Sequence, residues 1–367
     1  MPTKKIRKPF ATGDLRIKPI ERSETVPSVW YTDPAIAEIE KDRIFGPTWQ
    51  FIGHTSKVKN PGDQIIGTAA GNPILIVRGK DDVVRAFYNV CRHRGGPIAL
   101  EDGCSNVLQC KYHGWTYLLD GSLRGVPQFD RVELFDKKDF GLVPVKLAEW
   151  EGMLFVCLDT PVAPLERYLK GIHERIAPIN LASKKFYRRV TYTVNCNWKA
   201  YVDNYLEGYH LPHVHPELCN LLDYREYVTE TAEYHSLQHS PFTGKDNVYN
   251  SKDGEAFYYF VYPNFMMNIL PGRLQTNLVL PISVNQCQVI FDYYYDDITS
   301  HSAIKIIEDD ISYSDKIQQE DIEICQHVQR GLESRAYDRG RFSVECEQGV
   351  YHFQTLIKKA FQRGNDQ

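Results

Sequence analysis

Two short loops, Cys91-Arg-His-Arg-Gly-Gly-Pro97 and Cys110-Lys-Tyr-His-Gly-Trp-Thr-Tyr117, are the most informative part of this sequence. Together they place two cysteines and two histidines in the spacing C-x-H-x16-C-x2-H. One kind of [2Fe-2S] cluster uses this mixture of ligands, because two histidines replace two cysteines on one of its irons and raise the reduction potential. We therefore predict an iron–sulfur cluster bound by four residues, Cys91, His93, Cys110 and His113.

A structural zinc ion is the alternative for the same four residues, since two cysteines and two histidines also bind Zn²⁺ tetrahedrally. Each cysteine here stands beside a histidine in a short glycine-containing loop. This arrangement favours the cluster over zinc.

Both loops resemble the cluster-binding segments of the Rieske non-haem iron oxygenases. The resemblance implies an α+β fold, in which an N-terminal all-β Rieske [2Fe-2S] domain precedes a helix-grip (START-like) catalytic domain. That second domain would contain an antiparallel sheet, a long C-terminal helix and a mononuclear iron. On this interpretation, residues 46–160 form the Rieske domain and residues 161–367 the catalytic domain, while residues 1–45 form a segment that packs on the catalytic domain.

Length and composition agree with a two-domain protein. With 367 residues, the chain can supply two domains of roughly 100 to 200 residues each. A formal net charge of −4 gives no electrostatic reason to expect nucleic acid or an anionic membrane as a partner. No apolar run reaches the roughly 20 residues that span a bilayer, and we see no secretory signal. We therefore expect a cytoplasmic protein whose partners are small molecules or other proteins.

The remaining cysteines agree with a reducing compartment. The sequence contains nine cysteines. Four of them lie in apolar or regular segments that are typical of buried free thiols: Cys157, Cys196, Cys287 and Cys325.

Local patterns predict the main elements of both domains. Short β-strands are expected from residue 48 to residue 159, with a hairpin turn at Asp120-Gly121, because this pair readily forms tight turns. Further along the chain we predict a linker at 161–165, a strand at 188–192, a helix at 198–209, β-rich runs at 256–295 and a long helix at 303–337.

A second metal site is predicted in the segment 197–216, which contains His210, His213 and His215 beside acidic residues. Non-haem iron oxygenases typically bind Fe(II) through two histidines and one carboxylate. An unbroken helix would place His210 and His213 on one face, but Pro212 distorts a helix and leaves the choice of histidines open. The family resemblance implies His210 and His215, and it leaves His213 as a neighbour with a structural role.

The long predicted helix contains the candidate carboxylate ligand. A buried stripe is predicted by the spacing of four apolar residues: Ile317, Ile324, Val328 and Leu332. Asp321 falls inside that stripe, whereas Glu320 falls well off its centre. A carboxylate facing a core is costly unless it is paired or bound to a metal ion, so Asp321 is either a ligand or part of a buried ion pair. The resemblance implies that Asp321 is the iron ligand.

The resemblance also implies how electrons reach the iron. In this family, homotrimers bring the cluster of one subunit next to the mononuclear iron of its neighbour, and an acid three residues before the first histidine bridges the two sites. Here that acid is Glu207, which would accept a hydrogen bond from His210 and another from His113 of the partner subunit. Asp203, one helical turn earlier, either assists Glu207 or is an ordinary solvated acid.

Four further segments resemble the quaternary-amine oxygenases, such as the choline monooxygenases: residues 262–268, 275–281, 287–293 and 330–341. Aromatic faces bind a trimethylammonium group through cation–π attraction. The candidates for such a cage, which are equally candidates for the core of a β-rich domain, are Tyr258, Tyr259, Tyr262, Phe265 and Tyr293 to Tyr295. Arg273 would repel a cation if it faced the pocket, so a carboxylate-bearing amine is an alternative to choline.

The sequence therefore predicts a terminal oxygenase that uses O₂ and electrons from an external reductase or ferredoxin to hydroxylate a methylated or quaternary amine. Two alternatives stay open. A ring-hydroxylating oxygenase would use the same two metal centres on an aromatic substrate. A Rieske electron carrier would retain the cluster without oxygenase activity.

Overall fold

A computed structural model describes residues 10, 11, 13–218, 227–241 and 255–363 of the chain. These residues form two compact units. The smaller unit contains Phe45–Leu165 and Asn180–Phe186. The larger unit contains the described residues up to Ile44, then Glu166–Ile179, and then those from Tyr187 onward. The expected N-terminal segment and the C-terminal end of the chain therefore lie partly outside the described residues.

The smaller unit is built from short antiparallel strands, as predicted. Its strands are β1 Gln50–His54, β2 Asp63–Ala69, β3 Asn72–Arg78, β4 Val84–Tyr88, β5 Gly103–Cys104, β6 Leu108–Gln109, β7 Thr116–Tyr117, β8 Leu123–Gly125, β9 Pro144–Trp150 and β10 Met153–Cys157. Seven of them form one sheet in the order β1-β10-β9-β4-β3-β2-β5, and β6, β7 and β8 form a second sheet.

The hairpin predicted at Asp120-Gly121 joins β7 to β8. The Ser122 N–H donates to the Asp120 carboxylate at 2.9 Å, so the aspartate side chain closes the turn. This turn is therefore confirmed.

The larger unit contains a seven-stranded sheet in the order β11-β17-β16-β15-β14-β13-β12. Its strands are β11 Lys185–Val194, β12 Val228–Thr231, β13 His235–Pro241, β14 Glu255–Val261, β15 Phe265–Leu270, β16 Arg273–Ser283 and β17 Gln286–Tyr295. Adjacent strands from β12 to β17 pair antiparallel. The strand predicted at 188–192 and the β-rich runs predicted at 256–295 are confirmed.

One row of this sheet carries polar and aromatic side chains on a single face. Directly paired residues connect five strands in this row, namely Gln238, Tyr258, Asn268, Gln275 and Tyr293. Because residues directly opposite one another share a face of the sheet, all five side chains belong to the same surface.

Helices account for most of the rest of the larger unit. The helices are α1 Val29–Thr32, α2 Pro34–Glu40, α3 Leu165–Tyr168, α4 Ile172–Ile176, α5 Trp198–Tyr205, α6 Leu211–Val214, α7 His301–Leu332 and α8 Gln348–Arg363. Shorter helical turns lie at Ile20–Arg22 and Lys41–Phe45, and in the smaller unit at Thr55–Lys57 and Lys137–Phe140. None of the helices in the described part of the chain is both long and apolar enough to cross a membrane.

The helix predicted at 198–209 ends earlier, at Tyr205. Just beyond this end, the Glu207 carboxylate accepts hydrogen bonds from the backbone N–H groups of Tyr209 and His210. An acidic side chain that binds free N–H groups in this way starts a new segment rather than continuing the old helix.

The buried face of α7 differs from the predicted stripe. Its most buried positions include Gln318, Cys325 and Gln329, each one residue after an apolar residue of the predicted stripe, and Val328 is 45 % exposed. Two of these polar residues can be buried because they are hydrogen-bonded: Gln318 accepts from the Tyr201 hydroxyl at 2.7 Å, and Gln329 from the Asn197 N–H at 2.8 Å. A rule that counts only apolar residues therefore misplaced the stripe.

Candidate metal centres

The two loops that contain the predicted cluster ligands have the same backbone hydrogen-bond pattern. In each loop, a glycine four residues after the cysteine donates its N–H to the cysteine carbonyl: Gly95 to Cys91 at 3.1 Å, and Gly114 to Cys110 at 3.2 Å. Both glycines have left-handed backbones, with φ of +71° and +73°. Other residues rarely adopt this conformation, which explains why glycine closes each loop.

The four predicted cluster ligands converge between these loops. Cys91 and Cys110 are buried in the same apolar cluster. The rings of His93 and His113 have their centroids 4.8 Å apart. The buried Nδ1 of His93 has no hydrogen-bond partner among the described residues, which fits an atom that binds a metal.

Glycine is required at position 96, where the first loop packs against the second. A methyl group added to Gly96 would come within 2.9 Å of the Tyr112 Cβ and 3.0 Å of the Cys110 sulfur. The donor set of two cysteines and two histidines fits a [2Fe-2S] cluster of mixed ligation.

Aromatic rings pack against the histidine side of this site. The Trp115 ring stacks on His93 with centroids 4.8 Å apart and an angle of 9° between the planes. Its edges contact three phenylalanines, Phe129, Phe135 and Phe140. This packing fixes the orientation of the imidazole.

Tyr117 was not among the predicted site residues, although it contacts a predicted ligand. Its hydroxyl lies 3.2 Å from the Cys91 sulfur and accepts a hydrogen bond from the Arg92 N–H at 3.0 Å. Since the oxygen already accepts from Arg92, its own proton is available to the sulfur. Hydrogen bonds to cluster sulfurs change the reduction potential.

The second predicted site forms in the larger unit. Ligand atoms of His210, His215 and Asp321 lie within 4.8 Å of one another. The Asp321 Oδ1 atom is 2.9 Å from His215 Nε2 and 3.8 Å from His210 Nε2. His210 and His215 flank α6, and Asp321 comes from α7. Two imidazoles and one carboxylate are the donor set of a mononuclear non-haem Fe(II) site.

Each histidine of this triad has a glutamate at its other ring nitrogen. Glu207 lies 2.8 Å from His210 Nδ1, and Glu320 lies 2.7 Å from His215 Nδ1. These contacts turn both Nε2 atoms toward Asp321. Sequence reasoning found Glu207 but dismissed Glu320, because Glu320 lies off the predicted apolar stripe.

Asp203 and His213 do not join the triad. Asp203 accepts hydrogen bonds from the Tyr31 hydroxyl at 2.6 Å and from the Gln354 amide. Burial raises the pKa of Asp203 to about 7, so this acid is not a solvated helix residue. His213 is exposed.

A cavity of about 110 Å³ opens beside the triad. Its lining includes the three triad residues and four tyrosines, Tyr201, Tyr205, Tyr227 and Tyr258. Among the cage candidates from the sequence, Tyr258 alone belongs to this lining. The others are buried in the core of the unit: Tyr259, Tyr262, Phe265, Tyr293, Tyr294 and Tyr295.

Strand alternation and helix packing determine which tyrosines line the cavity, and the sequence prediction of the cage did not take them into account. Tyr258 belongs to the polar row of the sheet, whereas its neighbour Tyr259 points to the opposite face. Tyr201 and Tyr205 come from α5, one helical turn apart, which places them on the same side of that helix. Their spacing was a usable signal in the sequence.

Arg273 is buried, and its charge is balanced. Its guanidinium forms an ion pair with Asp310 and donates to Gln275. The Tyr295 hydroxyl donates to the same aspartate at 2.5 Å. Arg273 lines a second cavity that shares Tyr258, Asn268 and Asp321 with the first. The paired carboxylate of Asp310 reduces the predicted repulsion of a cationic substrate.

Comparison with known families matches both units. Residues 48–136 match the Rieske [2Fe-2S] domain, and residues 181–363 match the catalytic domain of the ring-hydroxylating alpha subunit. The chloroplastic choline monooxygenase of Arabidopsis thaliana is 35% identical to this chain. The match covers 92% of this chain and 83% of the relative. The carnitine monooxygenase oxygenase subunit of Acinetobacter baumannii is 33% identical over 92% of this chain and 95% of its own length.

Solved structures give the same result. The crystal structure of a quaternary ammonium Rieske monooxygenase with the substrate L-carnitine has a TM-score of 0.82 and 32% identity, and the match covers 92% of this chain and 96% of that one. Naphthalene 1,2-dioxygenase with bound indole matches with a TM-score of 0.77 at 18% identity over 95% of this chain and 94% of that one, which shows a shared fold. This chain therefore belongs to the Rieske oxygenases, as an alpha subunit whose two domains imply a [2Fe-2S] cluster and a mononuclear non-haem iron.

Proposed function

We propose that this oxygenase hydroxylates a C–H bond of a small quaternary or methylated amine. The observation that carries the proposal is the tyrosine-lined cavity beside His210, His215 and Asp321. Relatives named for choline and for carnitine support the same substrate class.

The walls of the cavity suit a cation. Aromatic faces attract a quaternary ammonium group by roughly 0.5–2 kcal/mol each. The Arg273 cation is neutralised by Asp310. A positively charged amine therefore meets aromatic faces rather than an unbalanced guanidinium charge.

The donor sets support an assignment of ligand residues to each metal centre. Cys91, His93, Cys110 and His113 would bind the cluster, and His210, His215 and Asp321 would bind the iron. When bound, the iron supplies O₂ activation and the cluster supplies electrons. The protein's own part is to orient the histidine rings and to enclose the substrate between tyrosines.

The wider assembly is also part of the proposal. Electrons would come from an external reductase or ferredoxin, and a homotrimer in the cytoplasm would pair the cluster of one subunit with the iron of the next. Glu207, held at His210 Nδ1, is the acid that would bridge them. Asp203 would support this region through its bonds to Tyr31 and Gln354.

We also propose the domain limits expected from the sequence: residues 1–45 as a segment on the catalytic domain, 46–160 as the Rieske domain and 161–367 as the catalytic domain. Support for the first limit comes from contacts within the larger unit, where the Val26 N–H donates to Gln354 at 2.8 Å.

A single-turnover experiment tests the substrate class. The cluster is reduced chemically, and O₂ is added with choline, glycine betaine, carnitine, other methylated amines or simple arenes. Hydroxylation next to nitrogen gives a carbinolamine that collapses to an aldehyde and a shortened amine, and mass spectrometry detects both. We expect product from a quaternary or methylated amine. Product from arenes alone would instead identify a ring-hydroxylating enzyme, and a cluster without iron or oxygen consumption would identify an electron carrier.

Variants of Tyr258 test the aromatic cage directly. Tyr258→Leu removes one ring face and is expected to weaken amine affinity by roughly two- to thirty-fold, which corresponds to about 0.5–2 kcal/mol. Tyr258→Phe keeps the face and is the matched control. Equal affinity in the Leu variant and the wild type would remove Tyr258 from the cage.

A further inference from the structure

Glu320 lies well off the centre of the apolar stripe predicted for α7, yet it contacts a buried histidine. Its Oε2 atom lies 2.7 Å from Nδ1 of His215. The His215 side chain is 1 % exposed, whereas that of Glu320 is 31 % exposed. A partly exposed carboxylate thus reaches inward to a buried ring.

We propose that Glu320 is the positioning residue for the iron ligand His215. By accepting a hydrogen bond from Nδ1–H, Glu320 would fix the tautomer that leaves the lone pair on Nε2, which faces Asp321 at 2.9 Å. The proposal rests on the proposed function, since it takes His215 and Asp321 as iron ligands.

Two consecutive residues of α7, Glu320 and Asp321, contact the two nitrogens of the His215 ring. Glu320 and Asp321 differ in direction by about 100° around α7, because an α-helix has 3.6 residues per turn. The longer glutamate reaches Nδ1, and the shorter aspartate reaches Nε2. The helix therefore fixes the imidazole from two directions, and a shift of either acid would turn the ring.

The local backbone of His215 does not hold the ring by itself. His215 ends the four-residue helix α6, with φ −124° and ψ 61°, outside the helical region. Its N–H donates to the Leu211 carbonyl at 2.9 Å, which anchors the backbone but leaves the side chain to other contacts. The contacts with α7 supply that orientation.

The pattern also matches that of the other histidine ligand. His210 has Glu207 at Nδ1, three residues away in its own segment. His215 has Glu320 at Nδ1, 105 residues away in the sequence. A carboxylate at the second nitrogen of a metal-bound histidine orients the ring and raises its basicity. The same chemistry is thus supplied locally for one ligand and by a distant helix for the other.

Two other charged residues of α7 lie one helical turn from Glu320. Lys316, one helical turn earlier in α7, forms an ion pair with Glu217 at 2.6 Å. Glu323, one turn later, is exposed. Glu323 therefore offers a control of equal charge on the same helix.

Metal binding provides a test that does not need turnover. Mononuclear metal is removed from the cluster-containing protein with a chelator, and the protein is titrated anaerobically with Co²⁺. Affinity is measured by calorimetry, and the ligand field by the visible spectrum of the bound Co²⁺. Loss of a carboxylate that supports a ligand typically costs about 10- to 100-fold in metal affinity. We expect a loss of this size in Glu320→Ala and a smaller loss with an altered Co²⁺ spectrum in Glu320→Gln, which keeps an acceptor oxygen.

Two controls separate this inference from the proposed function. Glu323→Gln is expected to bind Co²⁺ as the wild type does, and Asp321→Ala is expected not to bind it at the triad. Wild-type affinity and spectrum in both Glu320 variants would overturn the role of Glu320 while leaving the iron site standing. If wild type and Asp321→Ala bind Co²⁺ equally, the proposed iron site itself is wrong, and the role of Glu320 fails with it.

Discussion

The two proposed metal sites are built in different ways. In the smaller unit, all four candidate ligands come from two loops between residues 91 and 117, and backbone hydrogen bonds close each loop. In the larger unit, His215 and Asp321 are 106 residues apart and meet through the packing of α6 and α7. The first site is set by local chain geometry, and the second by tertiary structure.

This difference determines which substitutions each site tolerates. The cluster loops depend on glycines with left-handed backbones and on one stacked tryptophan. The triad depends on side chains that hold one another, namely Glu207 with His210 and Glu320 with His215. Damage to one site should therefore spare the other.

Cys110→Ala should have the largest effect of the variants in this series, because it should prevent binding of the cluster. Removing one thiolate from the donor set should abolish the [2Fe-2S] cluster, because each cluster iron needs its full set of protein ligands. We expect complete loss of the visible cluster absorption, with Co²⁺ binding at the triad unchanged. Loss of both centres in this variant would show that the two sites are not independent, and Cys346→Ala serves as a cysteine control outside the loops.

Trp115→Ala should destabilise the smaller unit. Tryptophan-to-alanine changes in a core typically cost about 3–5 kcal/mol of unfolding free energy, and here the ring is 2 % exposed. Chemical denaturation followed by cluster absorption should show this loss, while the triad keeps its metal affinity. Trp115→Phe keeps an aromatic face for His93 and should lose less. Equal stability in Trp115→Ala and the wild type would contradict the role of the stacked ring.

Asp203→Asn should change how the stability of the larger unit depends on pH. Burial raises the pKa of Asp203 to about 7 from an ordinary 3.8. The folded state therefore holds a proton that the unfolded chain releases above pH 3.8, and this contribution to stability is lost as the pH rises toward 7. Asparagine stays neutral, so the variant should show a smaller loss of stability between pH 4 and pH 7.

Denaturant midpoints at several pH values measure this effect. Each unit of difference between the folded and unfolded pKa of Asp203 corresponds to ~1.4 kcal/mol of unfolding free energy. Asp309→Asn changes an exposed acid on α7 and should leave the wild-type profile intact. Parallel profiles for Asp203→Asn and the wild type would contradict the raised pKa.

Tyr117→Phe should have the smallest effect of this series. It removes the hydroxyl that lies 3.2 Å from the Cys91 sulfur. A hydrogen bond that stabilises the reduced cluster contributes about 1 kcal/mol. Its loss corresponds to a change of roughly 40 mV in the reduction potential of a one-electron couple. We expect a lower reduction potential by spectroelectrochemical titration. Tyr112→Phe is the control, because that hydroxyl accepts from Arg94; an equal shift in both variants would argue against a specific bond to sulfur.

Much of the smaller unit could be predicted from the sequence because its signals are local. The Cys-x-His and Cys-x-x-His motifs, the Asp120-Gly121 turn and the short strands all depend on residues close in the chain. The same holds for the buried free thiols, since Cys157, Cys196, Cys287 and Cys325 are buried and unbridged in the structure.

The larger unit was harder to predict where side chains from distant elements meet. The contact of Glu320 with His215 has no local signature, and an apolar periodicity placed Glu320 away from the site. The buried polar face of α7 likewise depends on partners in other elements, such as Tyr201 for Gln318. The cavity tyrosines were misjudged for the same reason, since strand alternation alone does not identify the face that lines a cavity.

Iron and acid-labile sulfide contents of the wild type and of Asp321→Ala test the central claim most directly. If the chain carries two separately built centres, Asp321→Ala should keep its sulfide and its cluster absorption while losing the iron beyond that of the cluster. Retention of all iron in the variant, or loss of sulfide together with iron, would contradict the account.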